Sequence, residues 1–348
     1  MASDTALHYL GVMFGSSATY FFAVYGIIQG ILALFVPFVQ KFFGLKSVLH
    51  LSSVLCLIFI AMILISQFLI ESSEDESLPP VGFVLVIIGA AAYGCGSAMF
   101  WFSYSSFFDA LTTPLTRGTL VGIFFGIFYI NSPVGNLLAG ILNATSLKGS
   151  IIQIIFTSFA IVGALVLIPL RGAKLPPGRQ LSFKMYFKEM LEIAKVPSYY
   201  TAVVALIVIY IVDGFMVAVF SEQLPEETAK QLVGYSFAIA GVAMCIGVAR
   251  IVFFVITFII YGMLTSISDV NNFWIAFDTC HHNAQVFLQY CRFLGNGAYG
   301  IVSLTSIVGV DYPQYYIIIL TLIGIIYALM GWNVDTHHAS FAHVKVCN

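Results

Sequence analysis

The sequence predicts an all-α, polytopic membrane protein, and three observations carry that prediction. Hydrophobic residues make up 60% of the 348 residues and charged residues only 9%, with a mean hydropathy of +0.99. A soluble domain has roughly 25% charged residues, so this chain lacks the polar surface that water would demand. The charges it does have sit in short turns that alternate in sign along the chain, and the apolar runs between those turns are of bilayer-spanning length. Alternating apolar and polar positions, the mark of a spanning β-strand, are absent from these runs.

The first run extends from about Phe14 to Phe38, followed by Val48 to Ile70, Val81 to Phe107, Thr119 to Leu142 and Ile151 to Leu170. A sixth covers Tyr199 to Phe220. Leu232 to Ile267 would reach about 54 Å as one helix, so it is expected to split at Arg250 into two short spans. Phe273 to Gln289, Phe293 to Val310 and Tyr315 to Trp332 complete a total of eleven.

Charge then orients the spans. With the Lys41/Lys46 turn in the cytosol, every Lys and Arg except Lys148 and Lys230 falls on the cytosolic side, as the positive-inside rule requires. This leaves Met1 to Met13 on the external face, a start that reads as though an earlier span were missing. It places the Asn143-Ala144-Thr145 sequon outside as well, which makes Asn143 a glycosylation candidate. Four of the six cysteines (Cys56, Cys95, Cys245, Cys280) fall inside apolar runs with no CxxC spacing, so they read as small buried hydrophobes and not as a disulfide or zinc framework. No metal and no cofactor is indicated.

The long internal segment from Arg171 to Ser198 divides the chain. It begins with Pro176, Pro177 and Gly178 and continues into an amphipathic stretch, Phe183 to Lys195, with Phe183, Tyr186, Phe187, Met190, Leu191 and Ala194 opposite Lys184, Lys188, Glu192 and Lys195. Such a basic amphipathic helix suits the cytoplasmic lipid surface. The expected organisation is therefore an N-terminal bundle of five spans (1–170), a cytoplasmic linker (171–198), a C-terminal bundle of six spans (199–332, with the join near 250) and a cytoplasmic tail (333–348). With one further span at the start, five plus six becomes the six plus six of the major facilitator superfamily.

Gly89 to Gly140 reads GAAAYGCGSAMFWFSYSSFFDALTTPLTRGTLVGIFFGIFYINSPVGNLLAG. A small-residue span ends in an aromatic cluster with Trp101. A Thr-rich turn with Arg117 and Gly118 follows, then Gly122, Ile123 and Phe124, and later Ser132, Gly135 and Asn136. A second stretch, FWIAFDTCHHNAQ, runs from Phe273 to Gln285. Together these resemble the uncoordinated-ninety-three-like, or ion channel regulatory, branch of the major facilitator superfamily. The resemblance implies a two-bundle transporter-like fold, here of about eleven spans without the usual first helix. It also implies that the chain is no enzyme but a regulatory or trafficking partner of an ion channel or membrane receptor, in a plasma or endolysosomal membrane. Read physically, Gly89, Ala90, Ala91, Ala92, Gly94 and Gly96, and the pair Gly122 and Gly126, offer small faces for close helix packing.

Ionisable residues within spans are costly and mark sites. Asp213 and Asp278 qualify, whereas Asp109 at a helix end is expected to cap or to pair with Arg117. His281 and His282 follow Asp278 at i+3 and i+4, with Asn283 and Gln285 beyond, so one helical face can hold an acid-imidazole pair. Two uses of that face stand level: a proton-coupling relay of a secondary transporter for an unknown small solute, or a polar network that ties helices together. Gln29, Asn131 and Asn136 join the same interior only if their helix faces turn inward.

Overall fold

The computed structural model describes residues 2–74, 77–145, 147–170, 183–193, 195, 203, 207, 233, 235–239 and 290–301. Every regular element among the described residues is helical: α1 Ala2–Phe14, α2 Ala18–Phe43, α3 Leu45–Glu71, α4 Pro80–Leu111, α5 Pro114–Asn143, α6 Gly149–Leu167 and α7 Phe183–Ile193. Five stretches are long and apolar enough to cross a membrane: Thr5–Phe43, Leu45–Glu71, Pro80–Phe108, Ile123–Asn143 and Gly149–Leu167. Each overlaps one of the five spans expected before the linker, the first beginning nine residues earlier than expected. Asp213, Arg250 and Asp278 lie outside the described residues, as does the chain after the linker apart from residues 203, 207, 233, 235–239 and the helical segment 290–301.

Local chemistry sets the helix ends. Gly44 closes α2 at φ 79°, a left-handed conformation that glycine adopts without a Cβ penalty. The Thr-rich turn opens α5 with a capping box, in which the Thr113 hydroxyl accepts from the Thr116 amide and the Thr116 hydroxyl accepts from the Thr113 amide. Pro114 follows at the first helical position. At the opposite end of the bundle, the Glu71 carboxylate closes the start of α6: the Ser150 amide donates at 2.7 Å and the Ser150 hydroxyl at 2.6 Å. An acid at a helix N-terminus meets the free amides and the positive end of the helix dipole.

α4 lies between α2 and α3, and α3 in turn packs on α6. The small residues of α4 permit this. A Cβ on Gly94 would lie 2.7 Å from the Tyr25 carbonyl of α2, one on Gly96 2.9 Å from the Ser52 carbonyl of α3, and one on Gly89 3.0 Å from Met62. The expected packing face of α4 is thus real, and it serves two neighbours. Between them runs an aromatic stack: Phe59 lies on Tyr93 at 4.6 Å and Tyr93 on Tyr25 at 5.0 Å, joining α3, α4 and α2. A second glycine contact seats segment 290–301 on α2, where a Cβ on Gly26 would meet the Gly300 backbone nitrogen at 2.7 Å and one on Gly30 the Gly297 nitrogen at 3.0 Å.

Two expectations are corrected here. Residues 2–13 are not a free arm. They form α1, which packs against α3, α5 and α6, with Leu7, Tyr9 and Leu10 buried. The chain breaks at Gly15 (φ 55°) through a short 3-10 turn, Gly15–Ser17, before α2 begins. A helix continuous from Thr5 to Phe43 would be about 58 Å long; the break lets α1 turn back into the bundle. The mixed polarity of this stretch hid its burial, because Thr5 and His8 face protein there, not lipid.

The second correction concerns α7. Its helical spacing is as expected, but Tyr186, Met190 and Ile193 are buried against protein, in a cluster with Tyr104, Phe125, Tyr129 and Cys291. Phe38 of α2 meets Phe183 at 5.1 Å and Tyr186 at 5.4 Å. The amphipathic helix therefore docks on the bundle and leaves Lys184, Lys188 and Leu191 exposed. It sits at the ends carrying the Lys41 and Arg117 turns, so the basic turns gather at one end of the bundle while Glu71, Asn143 and Lys148 mark the other.

Candidate functional site

Among the described residues, two sites bring an ionisable side chain into the helical interior. The first joins α1 to α5. Asn136, fully buried, donates through Nδ2 to the Ser132 carbonyl at 2.9 Å and to the Ser132 hydroxyl at 3.2 Å. That leaves its Oδ1 as acceptor, and the His8 Nδ1–H donates to it at 3.2 Å. The bond fixes the Nδ1–H tautomer of His8. The imidazole also stacks on Phe237, with centroids 4.0 Å apart and planes 9° from parallel. One histidine thus connects α1, α5 and a residue from beyond the linker.

The second site lies toward the Lys41 end. Arg292 belongs to segment 290–301 and is only 8% exposed, with its guanidinium carbon 4.2 Å from the centre of the Trp101 ring. This overturns its expected place in a short cytosolic turn. Trp101 is seven residues inside the end of the Pro80–Phe108 span, which puts the pair about 10 Å from that end. Among the described residues no carboxylate pairs with Arg292. A cation over an indole gains about 0.5–2 kcal/mol, whereas an arginine deep in a spanning helix costs about 2.5–3.5 kcal/mol even on the lenient insertion scale. The ring offsets part of that cost. Asn296, one turn on, donates to the Arg292 carbonyl at 2.9 Å.

The residues quoted for the family resemblance divide accordingly. Trp101 carries Arg292 and meets Phe128 edge-on at 5.0 Å. Ser132 and Asn136 form the network under His8, and Gly135 is buried beside them. Arg117, Gly118 and Gly122 lie on the α5 backbone; their surroundings, and those of Asp109 and Gly126, are outside the described residues. The coupling candidates Asp213, Asp278, His281, His282, Asn283 and Gln285 are outside them too. Gln29 does face inward and donates to the Ser97 hydroxyl at 2.9 Å.

Asn143 is the last residue of α5 and half-buried, and its Nδ2, the atom a glycan would be built on, donates to the Ala139 carbonyl at 2.8 Å. It lines a small cavity of about 30 Å³ between α1, α3, α5 and α6, together with Tyr9, Gln67 and Gln153. His8 and Arg292 escaped sequence reasoning because each sat in a stretch assigned to a loop. In both cases the available signal was an ionisable residue next to unbroken helical hydrophobic spacing: Ala6, Leu7 and Leu10 around His8, and Phe293 and Leu294 after Arg292.

These features define an all-helical, multi-pass membrane protein with polar sites in its interior. No family model matches the chain, and neither does any curated protein. Among solved structures it is similar to a bacterial homolog of the human lysosomal transporter Spinster, described as inward-facing and unoccupied. That similarity has 14% identity over 94% of this chain and 78% of the other, with a TM-score of 0.42. A likeness at that level carries no argument about fold or activity, which rest on the helices and sites described above.

Proposed function

We propose that this chain is a transporter-like membrane protein of the uncoordinated-ninety-three-like kind, serving as a regulatory or trafficking partner of another membrane protein such as an ion channel or receptor. Its architecture in this reading is two bundles of the major facilitator type, 1–170 and 199–332, joined by the linker 171–198. The observation that supports it most is how the motif residues are used: Trp101 and Asn136 are engaged by other parts of the chain, Ser132 holds Asn136 in place, and α1 is packed against α3, α5 and α6. A carrier needs an open route past such residues; a partner protein needs a stable folded surface. Bound lipid, a plasma or endolysosomal membrane, and a cytosolic tail at 333–348 belong to the same reading.

A second reading, a proton-coupled secondary transporter of a small solute, is favoured by the ionisable residues His8 and Arg292 within the helical interior, with Asp213, Asp278, His281 and His282 as further coupling groups. Asn283 and Gln285 would line that path. One experiment separates the two. The full chain is co-expressed with a set of channels and receptors, surface delivery of each is measured, and the purified protein is assayed for solute-driven proton movement in liposomes. The regulatory reading expects altered delivery of a partner and no flux above empty liposomes. Flux that is lost in Asp278→Asn, with no partner affected, would replace it with the carrier.

A further inference from the structure

The small cavity at the Glu71 end of the bundle is lined in part by the amide side chains of Gln67, Asn143 and Gln153, whose nitrogens are already committed. Gln153 donates through Nε2 to the Met13 sulfur at 3.4 Å, Asn143 through Nδ2 to the Ala139 carbonyl, and Gln67 through Nε2 to the Glu71 carboxylate at 3.4 Å. The Gln153 amide oxygen is buried and left without a donor. Two of the lining residues are more than nine-tenths buried with an unpartnered atom, the Oε1 of Gln153 and the hydroxyl of Tyr9. Buried polar atoms of native proteins are satisfied in the great majority of cases, so each such orphan points to a missing partner.

The surroundings select the partner's charge. α3 and α5 both end beside the cavity, at Glu71 and Asn143, and helix C-termini present their negative ends. The one positive helix end in the lining, the start of α6 at Gly149, is already met by Glu71 through Ser150. Size and ligand type select further. A cavity of about 30 Å³ holds no organic solute, and neutral oxygens suit a hard, singly charged cation, because a divalent ion draws on carboxylates. Gly149 keeps the mouth open: a Cβ there would lie 2.5 Å from Gln67 Nε2.

We propose that Tyr9, Gln67, Asn143 and Gln153 form a binding site for a small alkali cation, sodium by size, at the Glu71 end of the bundle. The ion fastens α1 to α3, α5 and α6, and the site stands whether the chain carries a solute or only regulates a partner.

The test is thermal unfolding of the purified full chain at constant ionic strength, in sodium chloride against choline chloride, with potassium chloride as the size control. Sodium is expected to raise the melting temperature saturably, by on the order of 2–4 °C, with potassium weaker and choline without effect. Gln153→Leu and Tyr9→Phe should each reduce or abolish the sodium response. Tyr9→Phe removes one oxygen and keeps the ring, so it reports even if Gln153→Leu fails to fold. Equal melting in all three salts would overturn the site and leave only trapped water. A sodium response unchanged in both variants would overturn it as well, by placing the ion elsewhere.

Discussion

Toward the Glu71 end of the bundle a set of polar groups is tied together by hydrogen bonds: His8 donates to Asn136, Asn136 donates to Ser132, and the exposed Glu71 carboxylate closes α6 through Ser150. At the basic end the one buried Lys or Arg among the described residues, Arg292, lies among rings, over Trp101 and close to the aromatic cluster in which α7 docks. The first arrangement closes its hydrogen bonds locally, so its removal leaves orphaned atoms. The second leaves a charge in part uncompensated, so its removal relieves a cost. The two ends should therefore answer substitution with opposite signs.

Between the ends lies the glycine contact of α2 with segment 290–301, and the largest effect is expected there. Gly26→Leu drives a side chain into the Gly300 backbone, which cannot rotate away. We expect a loss of about 3 kcal/mol, the upper part of the overpacking range, read as a lowered melting temperature in detergent. Gly163→Ala in α6 has nothing within 4 Å of the added carbon. It should stabilise slightly, by about 0.5–1 kcal/mol from helix propensity.

Arg292→Met tests the basic end directly. Losing an under-compensated guanidinium should raise stability by about 1–2 kcal/mol, the insertion cost less the cation-π gain. A lowered melting temperature would mean that the charge has an anionic partner, and the contrast between the ends would fail. Toward the Glu71 end, Asn136→Ala leaves the His8 N–H unpaired and should cost about 1–2 kcal/mol. A double-mutant cycle with His8→Phe should return a coupling of about 1 kcal/mol, and independent effects would remove the link between α1 and α5. Glu71→Gln is the smallest change: it keeps an acceptor for Ser150 and loses the charge, so we expect about 0.5–1 kcal/mol, diminished by high salt.

The five N-terminal spans were legible in the sequence because hydropathy over about twenty residues is a strong signal and each span is bounded by a charged turn. The small face of α4 was legible too, since Gly89, Gly94 and Gly96 recur in one short run. The site was much less so. His8 lies in a thirteen-residue helix, too short and too mixed in polarity to read as membrane-inserted, and its burial comes from contacts with residues more than a hundred positions away. Arg292 was assigned to a turn because charge alone suggested an interface, whereas its helix continues through it to Ile301. The Gly26/Gly30 contact with Gly297/Gly300 has the small-xxx-small form on α2, but only the structure pairs it with its partner.

α1 is part of the interior of the bundle. Hydrogen exchange of the full-length protein in detergent or nanodiscs, read by mass spectrometry over Ala2–Phe14, tests this most directly. A packed helix fastened by His8 and Asn136 predicts slow exchange over Leu7 to Phe14, comparable to that of α3, with acceleration in His8→Phe. Exchange over this stretch at the rate of a free terminal arm, equal in wild type and variant, would contradict the account.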